Sequence, residues 1–231
     1  MSSKGLLLVF SEVGSALSES EFHGWYNNEH IPLRTVLPGF TSAARFVQAD
    51  SHKPTWAALY DLTTADYLQT DDYLNLAKTR SEREANVFKQ LQYLERRIYT
   101  LNETAPVTVS DAFAGHKEGM TLVAVSIQVP PEHESDFHKW YDEEHVPLLR
   151  KVPGWLRTRR FILVESDATG VLEGTEGYKA PPKFIALHEY ANADGLAGPE
   201  WKAATSTPWR DKIFANVLSI ERRVLKVFKT F

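Results

Sequence analysis

Two histidines that each follow a tyrosine by four residues are the side chains of this sequence best suited to chemistry. His30 follows Tyr26, and His145 follows Tyr141. Residues four apart lie on one face of an α-helix, and a neutral imidazole is a natural general acid or base near pH 7. The spacing therefore predicts proton transfer by two Tyr–His pairs. The alternative is structural, with each histidine capping a helix end or bonding a carbonyl group ahead of the following proline.

Both pairs lie in a segment that occurs twice. Residues 22–46 align with residues 137–161 at one offset of 115 positions, and 12 of the 26 aligned positions that start at Glu21 and Asp136 are identical. The repeat indicates an internal duplication. On a helical wheel the identical residues of the helix fall in one half, so one helix face is retained and the other is free to be solvated.

Aromatic residues recur beside the two pairs and are expected to bind the substrate. A tryptophan precedes each tyrosine on the helix, and an aromatic residue begins the third strand that we predict in each copy. These four residues are Trp25, Trp140, Trp56 and Phe184.

Two glutamates share the retained helix face with apolar residues. A carboxylate in such surroundings needs a partner, and an arginine on the following strand can supply it. We predict structural ion pairs between Glu29 and Arg45 and between Glu144 and Arg160.

The sequence does not favour a metal or an organic cofactor. His23 lies seven helical residues from His30, a rise of ~10 Å, which is too far for both rings to bind one ion. The chain has no cysteine, no HExxH motif, no glycine-rich phosphate loop after a strand and no serine nucleophile elbow. We therefore expect no metal, flavin, nicotinamide or nucleotide.

Composition and charge do not favour nucleic acid or a membrane as partners of this protein. The 231 residues carry a net charge of −4 with acidic and basic residues interspersed, which does not favour nucleic acid. No apolar run approaches the length of a membrane span, and the apolar stretch near the N-terminus is too short for a signal peptide. A cytoplasmic protein is expected.

Hydrophobic periodicity predicts the order β-α-β-β-α-β in each copy, which is the ferredoxin-like unit. Residues 1–101 form the first repeat, 102–119 the linker and 120–231 the second repeat. In the first repeat the predicted strands are 5–13, 40–48, 55–62 and 91–101, and the predicted helices are 18–36 and 66–87. In the second repeat the strands are 121–129, 155–165, 183–190 and 217–228, and the helices are 132–151 and 199–215.

The second repeat has 13 more residues than the first ahead of its third strand. They fall in the glycine-rich stretch 166–181, which either covers a cavity or forms a mobile surface loop. His188 on the following strand occupies the position of Tyr60 in the first repeat. Because only the second repeat adds a strand histidine and this long loop, we expect the main site there, with His145 and His188 exchanging protons while Tyr141 orients the ligand.

The pattern Trp-Tyr-x-x-Glu-His-x-Pro, followed by Pro-Gly and Arg-Phe, resembles the dimeric α+β barrel superfamily, and within it the EthD-like proteins. The resemblance covers both halves. It implies an α+β fold in which the two repeats form an intramolecular dimeric α+β barrel, a pseudo-dimer within one chain that leaves room for a homodimer. The superfamily includes polyketide cyclases, dehydratases, quinone-forming monooxygenases, muconolactone isomerases and proteins without known activity, so the resemblance implies a fold more firmly than a reaction.

Three functions follow as hypotheses. The first is a cofactor-independent cyclase, dehydratase or related lyase of secondary metabolism, which acts on a small aromatic or polyketide-like molecule by His/Tyr acid–base chemistry. The second is a non-catalytic EthD-like protein that binds a small ligand or serves in stress protection. The third is a quinone-forming monooxygenase that uses O₂ without a bound cofactor. A pocket with converging histidine and tyrosine would favour the first or the third.

Overall fold

The computed structural model describes residues 4–231 and has a mixed α+β fold, which confirms the predicted class. The strands of each half pair antiparallel, and the retained motif lies on a helix in each half. None of the helices within residues 4–231 combines the length and apolar character that crossing a bilayer requires.

The first half begins with β1 and places its strands in the order β4-β1-β3-β2. Its strands are β1 (Gly5–Glu12), β2 (Phe40–Gln48), β3 (Trp56–Leu62) and β4 (Tyr93–Leu101). Its helical elements are α1 (Glu19–Trp25), a π-helical turn (Tyr26–His30), α2 (Pro32–Thr35), a 3-10 turn (Ala65–Gln69), α3 (Asp71–Lys78) and α4 (Glu82–Gln90).

The second half places its strands in the order β9-β6-β8-β7-β5. These strands are β5 (Thr108–Val109), β6 (Thr121–Gln128), β7 (Trp155–Gly170), β8 (Phe184–Tyr190) and β9 (Ser219–Thr230). The helical elements are a 3-10 turn (Pro131–His133), α5 (Glu134–Trp140), a π-helical turn (Tyr141–His145), α6 (Val146–Leu149), a 3-10 turn (Asp194–Ala197), α7 (Pro199–Ala204) and α8 (Pro208–Phe214).

The chain divides into two compact units, and two segments of the second predicted repeat belong to the first unit. The first unit runs to Leu101 and also takes Leu163–Ala180 and Phe228–Phe231, while the rest forms the second unit. The stretch 102–119 is therefore not a free linker, since it belongs to the second unit and its strand β5 pairs with β7. The end of β7 and the glycine-rich stretch, predicted to serve the second half, pack with the first.

Each retained helix is interrupted where it was predicted to be continuous. The Ile31 N–H donates to the Tyr26 carbonyl oxygen at 3.1 Å, a bond that spans five residues and defines the π-helical turn. Pro32 comes next and has no N–H to continue the α-helical ladder, so it starts the short helix α2 instead. The second half repeats the arrangement, with the Val146 N–H on the Tyr141 carbonyl.

The core of the first unit lies between the sheet and the helices. Apolar residues of β1, β2, β3 and β4 face those of α1 and α4, so the alternating strand pattern buries one face under the helices. Phe22 and Trp25 of α1 are fully buried there. This packing fixes the helix that carries Tyr26 and His30.

Candidate functional site

The π-helical turn places the predicted Tyr–His pair of the first half in contact. The ring centroids of Tyr26 and His30 are 4.8 Å apart, and that of Trp25 is 4.5 Å from His30. Single π-helical turns are frequent at functional sites because they turn side chains to positions that a regular helix does not offer. The aromatic rings enclose the imidazole, which is only 7% exposed.

His30 has a partner that sequence reasoning missed. Its Nδ1 lies 2.6 Å from Oε1 of Glu84, a buried residue in the first turn of α4. Burial is the main cause that lowers the pKa of His30 well below its usual value, and the charge of Arg34 is the next. Burial raises the pKa of Glu84. With Glu84 ionised, the ring donates its Nδ1 hydrogen to the carboxylate and keeps a lone pair on Nε2, as a general base requires.

Two tyrosines stand beside this pair. Tyr26 and Tyr60 are buried, and burial is the first cause that raises the pKa of each phenol, so both stay protonated at neutral pH. The Tyr60 hydroxyl lies near that of Tyr26 but makes no hydrogen bond of normal geometry within residues 4–231. Tyr26 and Tyr60 both line the cavity described next, so either phenol can donate to a ligand bound there.

A cavity of about 600 Å³ opens against these groups, in the size range of small-molecule sites. All of its lining residues belong to the first unit. Its chemically active lining residues are Tyr26, His30, Arg34, Tyr60, Tyr73, Arg80, Glu84 and Arg96. Glu165, Asp167 and Thr169 of β7 also line it, so the stretch expected to cover a cavity in the second half borders the cavity of the first.

The second half brings its predicted residues together, and the cavity found beside them within residues 4–231 is far smaller. The His145 and His188 ring centroids are 5.9 Å apart, and those of Tyr141 and His188 are 6.3 Å apart. His145 Nδ1 donates to the Ala204 carbonyl oxygen at 3.0 Å, and burial lowers the pKa of His145 to about 4. The cavity found beside Tyr141 measures about 10 Å³, and neither histidine borders it.

His188 is held among protein groups. Its Nδ1 lies 3.0 Å from the Thr158 hydroxyl, and its buried Nε2 has no hydrogen-bond partner within residues 4–231. His145 stacks on Trp140 with ring centroids 4.4 Å apart. The geometry therefore indicates a packing role for His145 and His188. We accordingly expect the main site in the first half.

The predicted ion pairs are wrong in both halves. Arg160 pairs instead with Asp142, which lies on the variable face of the helix. Asn27 is the aligned residue of the first half, and its Oδ1 accepts a hydrogen bond from Arg45 at 2.8 Å. Glu144 accepts from Trp140 Nε1 at 3.0 Å and from the Thr207 hydroxyl. The π-helical turn rotates the glutamates away from the strand and toward the cap of the second helix.

Glu29 follows the same pattern as Glu144. It accepts a hydrogen bond from the hydroxyl of Ser81, which caps α4 as Thr207 caps α8, and lies 3.8 Å from Arg83. Arg45 also lies 3.0 Å from His23 through Nη2 and Nδ1, and four aromatic rings surround its guanidinium.

Of the four aromatic residues expected to bind substrate, the structure brings one to the large cavity, Trp25. Trp140 stacks on His145, and Phe184 borders the small cavity of the second half. Trp56 packs on His23 and Phe228.

Within residues 4–231 no cluster of three or more histidine, aspartate and glutamate side chains could hold a metal ion. Glu84 had one sequence signal, the Ser81-x-x-Glu84 capping box that begins α4. Such a box predicts the helix start but not the histidine that the carboxylate meets.

No protein-family model matches the chain, and no curated protein matches it. Solved structures do. An anthrone oxidase-like protein shares 15% identity with a TM-score of 0.62 over 100% of this chain and 93% of its own. A candidate monooxygenase from Lactobacillus acidophilus shares 10% identity with a TM-score of 0.59 over 99% of this chain and 95% of its own.

A candidate chlorite dismutase shares 12% identity with a TM-score of 0.58 over 99% of this chain and 96% of its own. These neighbours are of the dimeric α+β barrel type, so the likeness supports the fold that the resemblance implied. Identities this low carry no information about the reaction.

Proposed function

We propose that the protein is a cofactor-independent enzyme that removes a proton from a small aromatic or polyketide-like molecule in the first-half cavity. One observation carries the proposal: a neutral, buried His30, held by Glu84 at 2.6 Å, borders a cavity of about 600 Å³. Tyr26 and Tyr60 converge on the same space. A ligand cavity with converging histidine and tyrosine favours an enzyme over a protein whose interior is filled.

Each group has a role in the proposed reaction. His30 Nε2 takes a proton from a carbon activated by a neighbouring carbonyl group or aromatic ring, and Glu84 stabilises the imidazolium that forms. The negative charge moves to the carbonyl oxygen, where the Tyr60 hydroxyl can donate a hydrogen bond. In a cyclase the enolate carbon then attacks a second carbonyl, the new alkoxide takes the proton back from His30, and loss of water completes a dehydration.

A quinone-forming monooxygenase is the second candidate. It is suggested by the name of one neighbour of the same fold, an anthrone oxidase-like protein, and it needs its own test because the shared fold does not fix the reaction. The first step is the same proton abstraction. The carbanion then reacts with O₂, one oxygen atom remains as the new carbonyl, and the other leaves as water with the two hydrogens of the methylene group. O₂ is the oxidant, so both candidates need the same base.

Hydroxyanthrones allow one experiment to separate the candidates. With 1,8-dihydroxyanthrone in D₂O without oxygen, an acid–base enzyme should accelerate deuterium exchange at the methylene carbon. In air, quinone absorbance and matching O₂ uptake would identify the monooxygenase, whereas exchange without O₂ uptake would favour the lyase-type reaction. Anthrone binding with neither reaction faster than in the His30→Ala variant would instead support the non-catalytic EthD-like function.

We also infer that the chain arose by tandem duplication of one ferredoxin-like unit, so that its halves stand for two subunits. The π-helical turn that ends at a histidine before proline recurs in both halves, and so does the cap hydroxyl that bonds the helix glutamate. A first-half fragment that folds only as a homodimer would support this inference.

A further inference from the structure

Arginines distinguish the cavity of the first half from the matching region of the second. Shared contacts align the second helices: Ser81 and Thr207 cap them and bond the helix glutamates, while Phe88 and Phe214 pack edge-on against Trp25 and Trp140. By this alignment and by the repeat itself, Arg34 corresponds to Leu149 and Arg80 corresponds to Ser206. Two positive charges therefore border the cavity where the second half has neutral residues.

Arg34 is the unusual one of the two because it is buried. Arg34 is only 8% exposed. Its Nη1 donates a hydrogen bond to the His30 carbonyl oxygen at 2.7 Å. No carboxylate lies within ion-pair distance of Arg34 in the part of the chain that the structure describes. A buried charge without a partner is costly, so a counter-ion from the cavity would relieve a cost that the fold already carries.

The other charges of the cavity compensate Arg34 only in part. Asp167 pairs with Arg96 at 3.2 Å. Glu84 is bound to His30, and although the charge of Arg34 opposes the rise that burial causes in the pKa of Glu84, the two side chains make no ion pair within residues 4–231. Glu165 lies on an exposed part of β7. Arg80, exposed and set with its guanidinium carbon 4.5 Å from the Phe88 ring centroid, adds a second positive charge beside an aromatic wall.

We propose that the ligand of this cavity is an aromatic anion whose carboxylate or phenolate group pairs with Arg34, assisted by Arg80. A guanidinium presents parallel N–H donors that match a carboxylate, which gives both affinity and orientation. As a substrate class this inference rests on the proposed function, because the same guanidinium would face the negative charge formed when His30 removes a proton. As a binding statement it stands on the cavity alone.

Two ligands of equal shape test the proposal by calorimetry on the full chain: anthraquinone-2-carboxylate and its neutral primary amide. The wild-type protein should bind the carboxylate at least about tenfold more tightly than the amide, since a charge-assisted bidentate contact exceeds a neutral one. Arg34→Leu, which installs the residue of the second half, should bring the two affinities within about twofold. Arg80→Ser should reduce the preference by a smaller factor because that side chain is exposed.

Arg34→Gln guards against misfolding, since it removes the charge but keeps an N–H for the His30 carbonyl. It should lose the preference while amide binding and the melting temperature stay near wild type. Arg210→Gln in the second half is the matched control and should keep the full preference. Equal binding of the two ligands by the wild type, an unchanged preference in Arg34→Gln, or no binding of either ligand would overturn the inference.

The anion site and the proposed reaction can be contradicted independently of each other. A carboxylate preference that depends on Arg34, without proton exchange on hydroxyanthrones, would uphold the anion site and contradict the proposed reaction. Exchange that depends on His30, without any preference for the carboxylate, would do the reverse.

Discussion

The two halves of the chain hold the same Tyr–His motif on the same π-helical turn, but the motif borders a cavity of about 600 Å³ in the first half and Tyr141 borders one of about 10 Å³ in the second. The difference lies in three partners. Where the first half has Arg34, Tyr60 and Glu84, the aligned positions of the second half hold Leu149, His188 and Arg210. A carboxylate orients His30, whereas His145 is bonded to a backbone carbonyl. The retained motif thus specifies a backbone turn, and its surroundings specify whether chemistry can follow.

Large apolar side chains surround the position in the second half that aligns with Arg34. Leu149, Val152, Trp155 and Tyr190 form one buried cluster, against which Trp201 packs. Interiors are close-packed, and Leu149 adds an apolar side chain to this cluster where the first half has Arg34 at the edge of its cavity. His145 stacks on Trp140, which belongs to a second buried cluster of the same half.

The largest effect should come from the two histidines compared directly. His30→Ala should lower the rate of proton abstraction by about 10²-fold or more because it removes the base, while His145→Ala should leave the rate within about threefold and lower the melting temperature instead. Deuterium exchange on 1,8-dihydroxyanthrone and thermal melts measure both effects. A greater loss of rate in His145→Ala would return the main site to the second half.

Removing the partner of the arginine on the second strand should destabilise the second half more than the first. Asp142→Ala should cost about 2 kcal/mol, because it leaves Arg160 buried and unpaired, with the loss moderated by the partial exposure of Asp142. Asn27→Ala in the first half should cost less, since Arg45 is held by a neutral amide and aromatic rings. Chemical denaturation gives the values.

A double-mutant cycle identifies the partner of Arg160. Changes at Asp142 and Arg160 should be strongly non-additive, and changes at Glu144 and Arg160 should add. Coupling of Arg160 to Glu144 instead would reinstate the ion pair predicted from the sequence.

Orientation of the base should matter less than the base itself. Glu84→Gln should lower the rate about tenfold, because an amide holds the imidazole but no longer stabilises its charged form. Arg210→Gln at the aligned position of the second half should leave the rate unchanged. Equal losses in the two variants would show that the exchange reaction does not depend on the His30–Glu84 contact.

The smallest effect concerns pH. The pKa of His145 falls from 6.5 to about 4 on folding, so the unfolded chain binds the proton first. Its contribution to stability is therefore present above pH 6.5 and is lost as the pH falls toward 4. Denaturation of His145→Asn, whose amide can still donate to the Ala204 carbonyl, should show a loss between pH 7 and 5.5 that is about 1 kcal/mol smaller than in the wild type. An unchanged pH dependence would mean that His145 is not held neutral.

The stretch from Leu163 to Ala180 packs with the first half, although its sequence position places it in the second repeat. Its extra residues belong by sequence to the second repeat, yet the Val171 N–H bonds the Gln92 carbonyl oxygen at 3.1 Å and Asp167 pairs with Arg96. Gly170 makes this approach with a positive φ, and a Cβ there would lie 2.1 Å from the Gln92 oxygen. The insertion thus became a wall of the other half's cavity.

Local pattern by itself determined the mixed α+β class, the main strands, the retained helix face and the Tyr–His pair, because hydrophobic periodicity depends on neighbouring residues, and the repeat of the motif is visible in the sequence alone. The π-helical turn could not be predicted in this way, since a helical wheel assumes a regular α-helix. Because that turn changes where Glu29 and Glu144 point, their partners could not be predicted either.

Only the tertiary structure decided which half has a cavity, what holds His30 and where the insertion packs. His30 and Glu84 lie 54 positions apart, and Arg34 differs from Leu149 in a way that gains meaning only beside an open space. Such contacts depend on how helices pack over a sheet, and a substitution of one side chain decides whether that space is filled.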